Sequence, residues 1–411
     1  MTTEQERALR LATEAGHILL ENGAEISRVE DTMEQLCTAY GVDDESFFVL
    51  SNGIIATGQH YARAKHIPIK GIQLSRVVEI NQLSRDVSAG SCSLDELERR
   101  LQVIRSAKGK PWWELVSGIA LGVAYFCILF GGSLQDAAAT LACGLLLGLF
   151  MAFVSPNLSR LMGNLFGGLV GGLLCIAAYR LASATLHLPN MIIGTIIALV
   201  PGVPFTNGMR DLANEAYIAG TTRLTDAFLA FLCIALGVAL ALIVDGWVYG
   251  GLMQLGAPMV DAAMSAWYIQ LLAAFIGTVG FAILFGTPRR YYLDCGLTGM
   301  AGWAVYLAAL ASFSVVGAAF LGALAVALLS HGLARWRRCP VTVFLICGII
   351  PLVPGGGIFW TAYHLVNNHL PLAAATGFTA LKVTIAIAGG IILVAGIYNK
   401  ILKTKHRNGQ S

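Results

Sequence analysis

Charge is what this sequence has least of. Only 12% of its 411 residues are Asp, Glu, Lys or Arg, about half the share found in soluble globular proteins. With 56% hydrophobic residues and a mean hydropathy of +0.69, a membrane protein is expected. Other absences narrow the chemistry. None of the nine cysteines belongs to a CxxC pair or to a Cys/His group at zinc spacing. Most of them (Cys127, Cys143, Cys175, Cys233, Cys347) lie inside apolar runs and read as small core residues. No metal and no cofactor is implied. There is neither a Gly-x-Ser-x-Gly elbow nor a phosphate loop, so an enzyme is not expected. The net charge of +3 is small, and its basic excess lies between apolar runs, which argues against a nucleic-acid partner. The polar start, Met-Thr-Thr-Glu-Gln-Glu-Arg, lacks the apolar stretch of a cleaved signal peptide, so insertion is expected from later helices.

What charge there is gathers at one end. Residues 1–110 hold 13 Lys/Arg and 16 Asp/Glu, against 14 and 8 in residues 111–411, so a domain boundary is expected near Pro111. Capping-box patterns at Thr3-x-x-Glu6, Asn22-x-x-Glu25 and Ser93-x-x-Glu96 predict three helix starts in the first part. Phe47–Leu50 and Ile54–Ala56 flank a Ser51-Asn52-Gly53 turn, and a further strand is expected near Ile72–Val78, giving a small α+β cytosolic domain. Glu25, Arg28, Glu30 and Asp31 could form a catalytic cluster, but charges on a capped helix are ordinarily solvated or weakly paired, and that is the expectation.

A bilayer core of ~30 Å takes about 20 apolar residues per helix. Residues 111–400 divide into ten such spans, near 113–131, 134–154, 163–185, 190–210, 224–245, 266–286, 289–308, 313–334, 341–360 and 376–399. Loop charge agrees with ten. Alternate loops carry Arg160, Arg210/Arg223, Arg289/Arg290, Arg335/Arg337/Arg338 and the Lys400–Arg407 tail, and the others carry no Lys or Arg. Since basic loops stay inside, both termini are expected in the cytoplasm. Arg180, near a helix end, is expected to snorkel.

The chain also repeats itself. Ile196-Ile197-Ala198-Leu199-Val200-Pro201-Gly202 returns 153 residues later as Ile349-Ile350-Pro351-Leu352-Val353-Pro354-Gly355, and the same offset carries the first five spans close to the second five. Five spans are an odd number, so the second repeat must enter the membrane inverted. The expected fold is an all-α polytopic membrane protein of two inverted five-helix repeats, 111–249 and 264–402, behind the 1–110 domain. Such repeats are typical of secondary transporters.

The repeated motif breaks its helices. From Met191 to Phe205 the fourth span covers only ~22 Å at 1.5 Å per residue, and proline and glycine then interrupt it. Paired interruptions are the best sequence pointer to a substrate site. We therefore expect Pro201, Gly202, Asn207, Arg210, Pro354, Gly355, Gly356 and Trp360 to bind substrate. Asn207 and Asp211 are i,i+4 neighbours, and the offset sets Trp360, Tyr363 and His364 opposite them. Asp211 and His364 in a shared cavity could carry a coupled proton, and Arg210 could grip a carboxylate. A plainer reading leaves Arg210–Glu215 and His364 in loops on either side, but then the fourth span is short. Lys382 either pairs with Asp211 or a substrate, or snorkels. Gly163, Gly167, Gly168, Gly171 and Gly172 form a small-residue face for close helix packing.

On these residues, namely Glu25-x-x-Arg28-Val29-Glu30, the Ser51-Asn52-Gly53 turn and the paired Leu-Val-Pro-Gly motifs, nearly the whole chain resembles the bacterial threonine/serine exporter family. In that family the halves also occur as two subunits, a pair associated with succinate export; this sequence resembles the fused form, with the junction in Gly250–Asp261. The resemblance implies a multi-pass inner-membrane protein exporting threonine, serine or small carboxylates on the proton motive force. A small amino acid or dicarboxylate and the bilayer are the expected partners, with a homo-oligomer left open. A passive channel is the nearer alternative, and a membrane-embedded hydrolase the more distant one.

Overall fold

In the computed structural model, residues 3–42, 46–58, 61–67, 71–182, 186–251, 255 and 264–408 are described. The first hundred form α1 (Thr3–Glu21), α2 (Ile26–Ala39), β1 (Ser46–Leu50), β2 (Gly53–Gly58), β3 (Tyr61–His66), α3 (Leu74–Ser88) and α4 (Leu94–Ser106). The three strands are antiparallel in chain order, and Leu50 opposite Gly53 leaves Ser51-Asn52 as the expected tight turn. Ser93 caps α4 through its hydroxyl, which accepts from the Glu96 amide at 3.3 Å. Two expectations are corrected. Asn22 turns back to the Ile18 carbonyl at 2.7 Å, so the residue preceding α2 is Glu25. Ile72–Val78 does not form a strand but leads into α3, because Leu74, Val77 and Val78 recur at helical spacing and all three are buried. Leu19, Ile26, Met33, Leu36, Leu97 and Leu101 build the core under the sheet, each fully buried aliphatic side chain contributing about 1.5–3 kcal/mol.

The remaining helices are α5 (Trp112–Leu129), α6 (Leu134–Leu149, continuing irregularly to Asn157), α7 (Arg160–Leu181), α8 (Leu188–Ile196), α9 (Gly202–Ala213), α10 (Tyr217–Tyr249), α11 (Trp267–Leu284), α12 (Tyr292–Leu310), α13 (Val315–Arg337), α14 (Thr342–Ile349), α15 (Gly355–Val366) and α16 (Leu370–Asn408). Among the described residues, eight helices are long and apolar enough to cross a membrane, and ten spans result if α8–α9 and α14–α15 each count as one bent span. The chain is thus a multi-pass membrane protein, with span limits close to those read from the sequence. The expected Gly250–Asp261 junction lies largely outside the described residues.

The spans pack in matched sets. α7 lies on α10 as α13 lies on α16, α5 meets α11 between the halves, and α10–α15 is answered by α9–α16. Glycines let α7 and α10 approach: a Cβ on Gly168 would sit 2.6 Å from the Ile234 carbonyl oxygen, and one on Gly237 2.1 Å from that of Leu165. Arg180 does not snorkel. Its guanidinium donates to both oxygens of Asp245 at 3.1 and 2.7 Å and lies 4.1 Å over the Tyr249 ring, because α7 and α10 face each other there.

Candidate functional site

Both bent spans break the same way. A 3-10 turn (Ile197–Leu199, Ile350–Leu352) closes the first half, and Pro201 and Pro354 then take nearly identical backbone angles, φ −77° with ψ 57° and 59°. Bends of 58° and 46° follow. Proline has no N–H to continue the ladder, so the second half-helix starts afresh at glycine. The breaks meet in the interior. A Cβ on Gly202 would lie 2.7 Å from Ile350 Cδ1, and one on Gly355 3.2 Å from Ile197 Cδ1. Ile197 and Ile350 are themselves 153 apart, so each break seats its glycine against the other's 3-10 turn.

On one side a cavity of 430 Å³ descends to the second break. Its walls include Phe130, Trp303, Tyr306, Trp360, Thr376 and Thr379, and its floor is the Pro351–Gly357 backbone. Phe130 follows the end of α5, the helix that starts beside the N-terminal region, so this cavity reaches the end of the bundle away from that region. An apolar groove of 540 Å³ between α10, α15 and α16 shares Pro354, Gly357 and Ala380 with it.

The near side is shut. Between α1 and α2 the chain turns at Gly23 (φ +86°), a left-handed conformation that suits glycine, and presses against Val203. Asn207 Nδ2 donates to the Gly23 carbonyl at 2.5 Å, and Arg223 Nη2 to that of Ala24 at 2.9 Å. Glu25 ion-pairs with Arg210 and, at 3.2 Å, with Arg28. The Ile26 amide donates to Asp211 Oδ1 at 2.9 Å, Arg223 Nη1 to Asp211 Oδ2 at 2.6 Å, and Asn214 Nδ2 to Ser27 Oγ at 2.9 Å. Glu25 is 2% exposed and Asp211 fully buried. Burial alone pushes the Glu25 carboxyl up, but the guanidiniums of Arg210 and Arg28 outweigh it and hold the group below the usual carboxylate range. Removing one partner from such a buried pair typically costs about 3–5 kcal/mol.

The residues singled out from the sequence thus fall into three places. Pro201, Gly202, Pro354 and Gly355 are at the crossing; Pro354, Gly355, Gly356 and Trp360 also line the open cavity. Asn207, Arg210 and Asp211 come together, but against the N-terminal corner. His364 packs among Trp360, Tyr363 and His369. Asp211 and His364 therefore do not share a cavity: the one is bonded to Ile26 and Arg223, the other is packed among rings of its own bent span and His369. Lys382 is exposed, its ammonium 5.2 Å from the Phe378 ring centroid, which fits snorkelling, while Asp211 is bonded to Ile26 and Arg223 instead. Sequence reasoning missed Glu25, taken for a solvated helix charge, and Arg223, taken for a loop charge. Arg210 and Asp211 beside a broken span were the signal available, since such charges need partners; which partners, 185 residues away for Glu25, one sequence does not show.

Residues 10–244 match the family model described as "Putative threonine/serine exporter", and residues 270–397 the model described as "Threonine/Serine exporter, ThrE". The "Probable succinate transporter subunit YjjP" of Escherichia coli K12 is 26% identical over 60% of this chain and 100% of its own length. The "Probable threonine/serine exporter" of Mycobacterium tuberculosis is 23% identical over 94% of this chain and 75% of its own. The "Threonine/serine exporter" of Corynebacterium glutamicum is 22% identical over 97% of this chain and 84% of its own. No solved structure matches the chain.

Proposed function

Because this chain belongs to the threonine/serine exporter family, in its fused form and as a membrane transporter rather than an enzyme, we propose that it exports threonine, serine or small carboxylates such as succinate by alternating access driven by the proton motive force. The observation that carries the reading is the asymmetry about two equivalent breaks. On the far side the second break is open to a cavity; on the near side the first is sealed by five polar contacts to the N-terminal corner. Exchanging those conformations between two like halves is how inverted repeats move a substrate past a fixed site. The halves are 111–249 and 264–402, inverted because each contributes five spans, and the basic loops put residues 1–110 and both termini in the cytoplasm of a bacterial inner membrane.

Substrate sits in the far cavity in the state described, over the backbone of Pro354, Gly355 and Gly356 with Trp360 as a wall, and reaches Pro201, Gly202, Asn207 and Arg210 once the near side opens. Asp211 and His364 are then proton groups for opposite ends of the route, and Lys382 lies beside it. Counterflow in liposomes tests the carrier. Efflux of labelled threonine, serine or succinate is expected to accelerate when the same unlabelled compound is present on the opposite side. A channel has no such response, so efflux indifferent to the opposite side overturns the proposal.

A further inference from the structure

We propose that the Gly23–Ser27 corner is a tethered plug in the near-side loading site, and that it holds there the places of the two charged groups of an α-amino acid. The inference rests on the transporter reading above and adds the site, its occupant and the substrate class.

The repeat offset shows that a site is being filled. Adding 153 carries Asn207 to Trp360, Arg210 to Tyr363, Asp211 to His364 and Arg223 to Thr376. Trp360 and Thr376 are walls of the open cavity. Their equivalents Asn207 and Arg223 face the corresponding space in the other half, and both bind main-chain carbonyls of the N-terminal corner. What is open volume on one side is thus occupied on the other by a segment of this chain. The fit is that of a bound peptide: the five consecutive residues Gly23, Ala24, Glu25, Ile26 and Ser27 are each held by a polar side chain of α9 or α10 or of the residue that follows α9.

Two of those contacts name the ligand. Glu25 brings a carboxylate to Arg210, and the next residue brings an N–H to Asp211 Oδ1. With the corner withdrawn, Arg210 loses both Glu25 and its neighbour Arg28, Asp211 keeps Arg223 but has one oxygen free, and Asn207 has a free amide. The emptied pocket offers a guanidinium for a carboxylate beside a carboxylate oxygen for an ammonium. A zwitterionic amino acid satisfies both, and the same Asp211 oxygen repels the second carboxylate of a dicarboxylate. Cargo and corner then exclude each other, so the apparent affinity on the near side is lowered by the fraction of time that the corner is withdrawn.

The test uses the full chain in liposomes, after labelled threonine transport by the parent has been measured; a parent that moves no tested substrate overturns the transporter reading itself. In Ser27→Cys/Asn214→Cys, bridged by a short bis-methanethiosulfonate, threonine efflux is expected to fall about tenfold or more and to return on reduction, with each single variant insensitive to the reagent. A bridged protein that transports at its unbridged rate shows that the corner need not leave, and ends the proposal. In Glu25→Gln, which keeps the shape and removes the charge, the near-side threonine concentration for half-maximal rate should drop several-fold, an effect expected from relieved competition. A rise or no change in that concentration overturns the mimicry, and so does a succinate rate equal to the threonine rate. If Glu25→Gln does not fold, Arg210→Lys supplies the second reading: threonine must shift to weaker half-saturation, since an ammonium does not reproduce the guanidinium fork.

Discussion

Single cations in apolar helices have unlike fates here, and neighbours decide them. Arg180 has Asp245 across the α7–α10 contact, 1% exposed at its side chain, whereas Lys382 has lipid-facing Phe378 and takes the place that Leu229 holds in the first half. Replacing Asp245 with Asn leaves a guanidinium short of its charged partner. The Arg180 side chain is 34% exposed, which screens part of the loss, so about 1–2 kcal/mol is expected, seen as a lower melting temperature in detergent. Lys382→Leu should shift it by less than about 0.5 kcal/mol, the usual effect of a surface change. Glu25 adds a pH dependence. Its carboxyl is held below the ordinary range when docked, so its contribution is complete above the free value of about 4.3 and is lost as pH falls through the lower docked value. Protection of the amides across Ile26–Met33, taken relative to their intrinsic exchange rate at each pH, should therefore fall in acid and hold in mild alkali. The Glu25 pairing could not be read from sequence, because Glu25 and Arg223 look like unrelated solvated charges until the fold sets them beside Arg210 and Asp211.

Elements were more legible, for a definite reason. Prolines and glycines inside apolar runs violate helix rules whatever the surroundings, so both breaks announced themselves, and span limits came from hydropathy alone. Short segments of the N-terminal region did not: Ile72–Val78 is a mixed stretch too brief for periodicity to tell strand from helix, and Asn22 found a local carbonyl in place of capping α2. If the breaks serve transport, Pro201→Ala with Gly202→Ala should straighten the 58° bend, since alanine is favoured in a helix over glycine by ~1 kcal/mol and over proline by ~3 kcal/mol. The added Cβ also presses on Ile350. Transport is expected to fall at least tenfold at undiminished expression, and the Pro354/Gly355 pair to behave alike. Parent rates in both double variants would mean that the bends carry no function.

For the molecule as a whole, an odd number of spans per half implies inversion and inversion permits alternating access, and the joint between them is the side on which α13 ends. The 153-residue repeat is what suggested that architecture in the sequence, while the proposed near-side plug left no signal there because it comes from outside the repeat. Cysteine labelling resolves the joint. Eight of the nine native cysteines are buried and Cys233 is partly so, which keeps the background low. Thr38, Asn157 and Arg335 are exposed and belong on the near side; Leu181 and Ser312 are exposed and belong on the far side. Single cysteines at these places should react with an impermeant maleimide in two groups: Leu181 and Ser312 in intact cells, the other three only after the membrane is opened. Ser312 precedes α13 and Arg335 lies in its last turn, so they bracket one crossing. If both react in intact cells, α13 does not cross, the second half has an even number of spans, and inversion fails with it. The near-side plug and far-side cavity would then no longer be equivalent places, and alternating access between them would lose its structural basis.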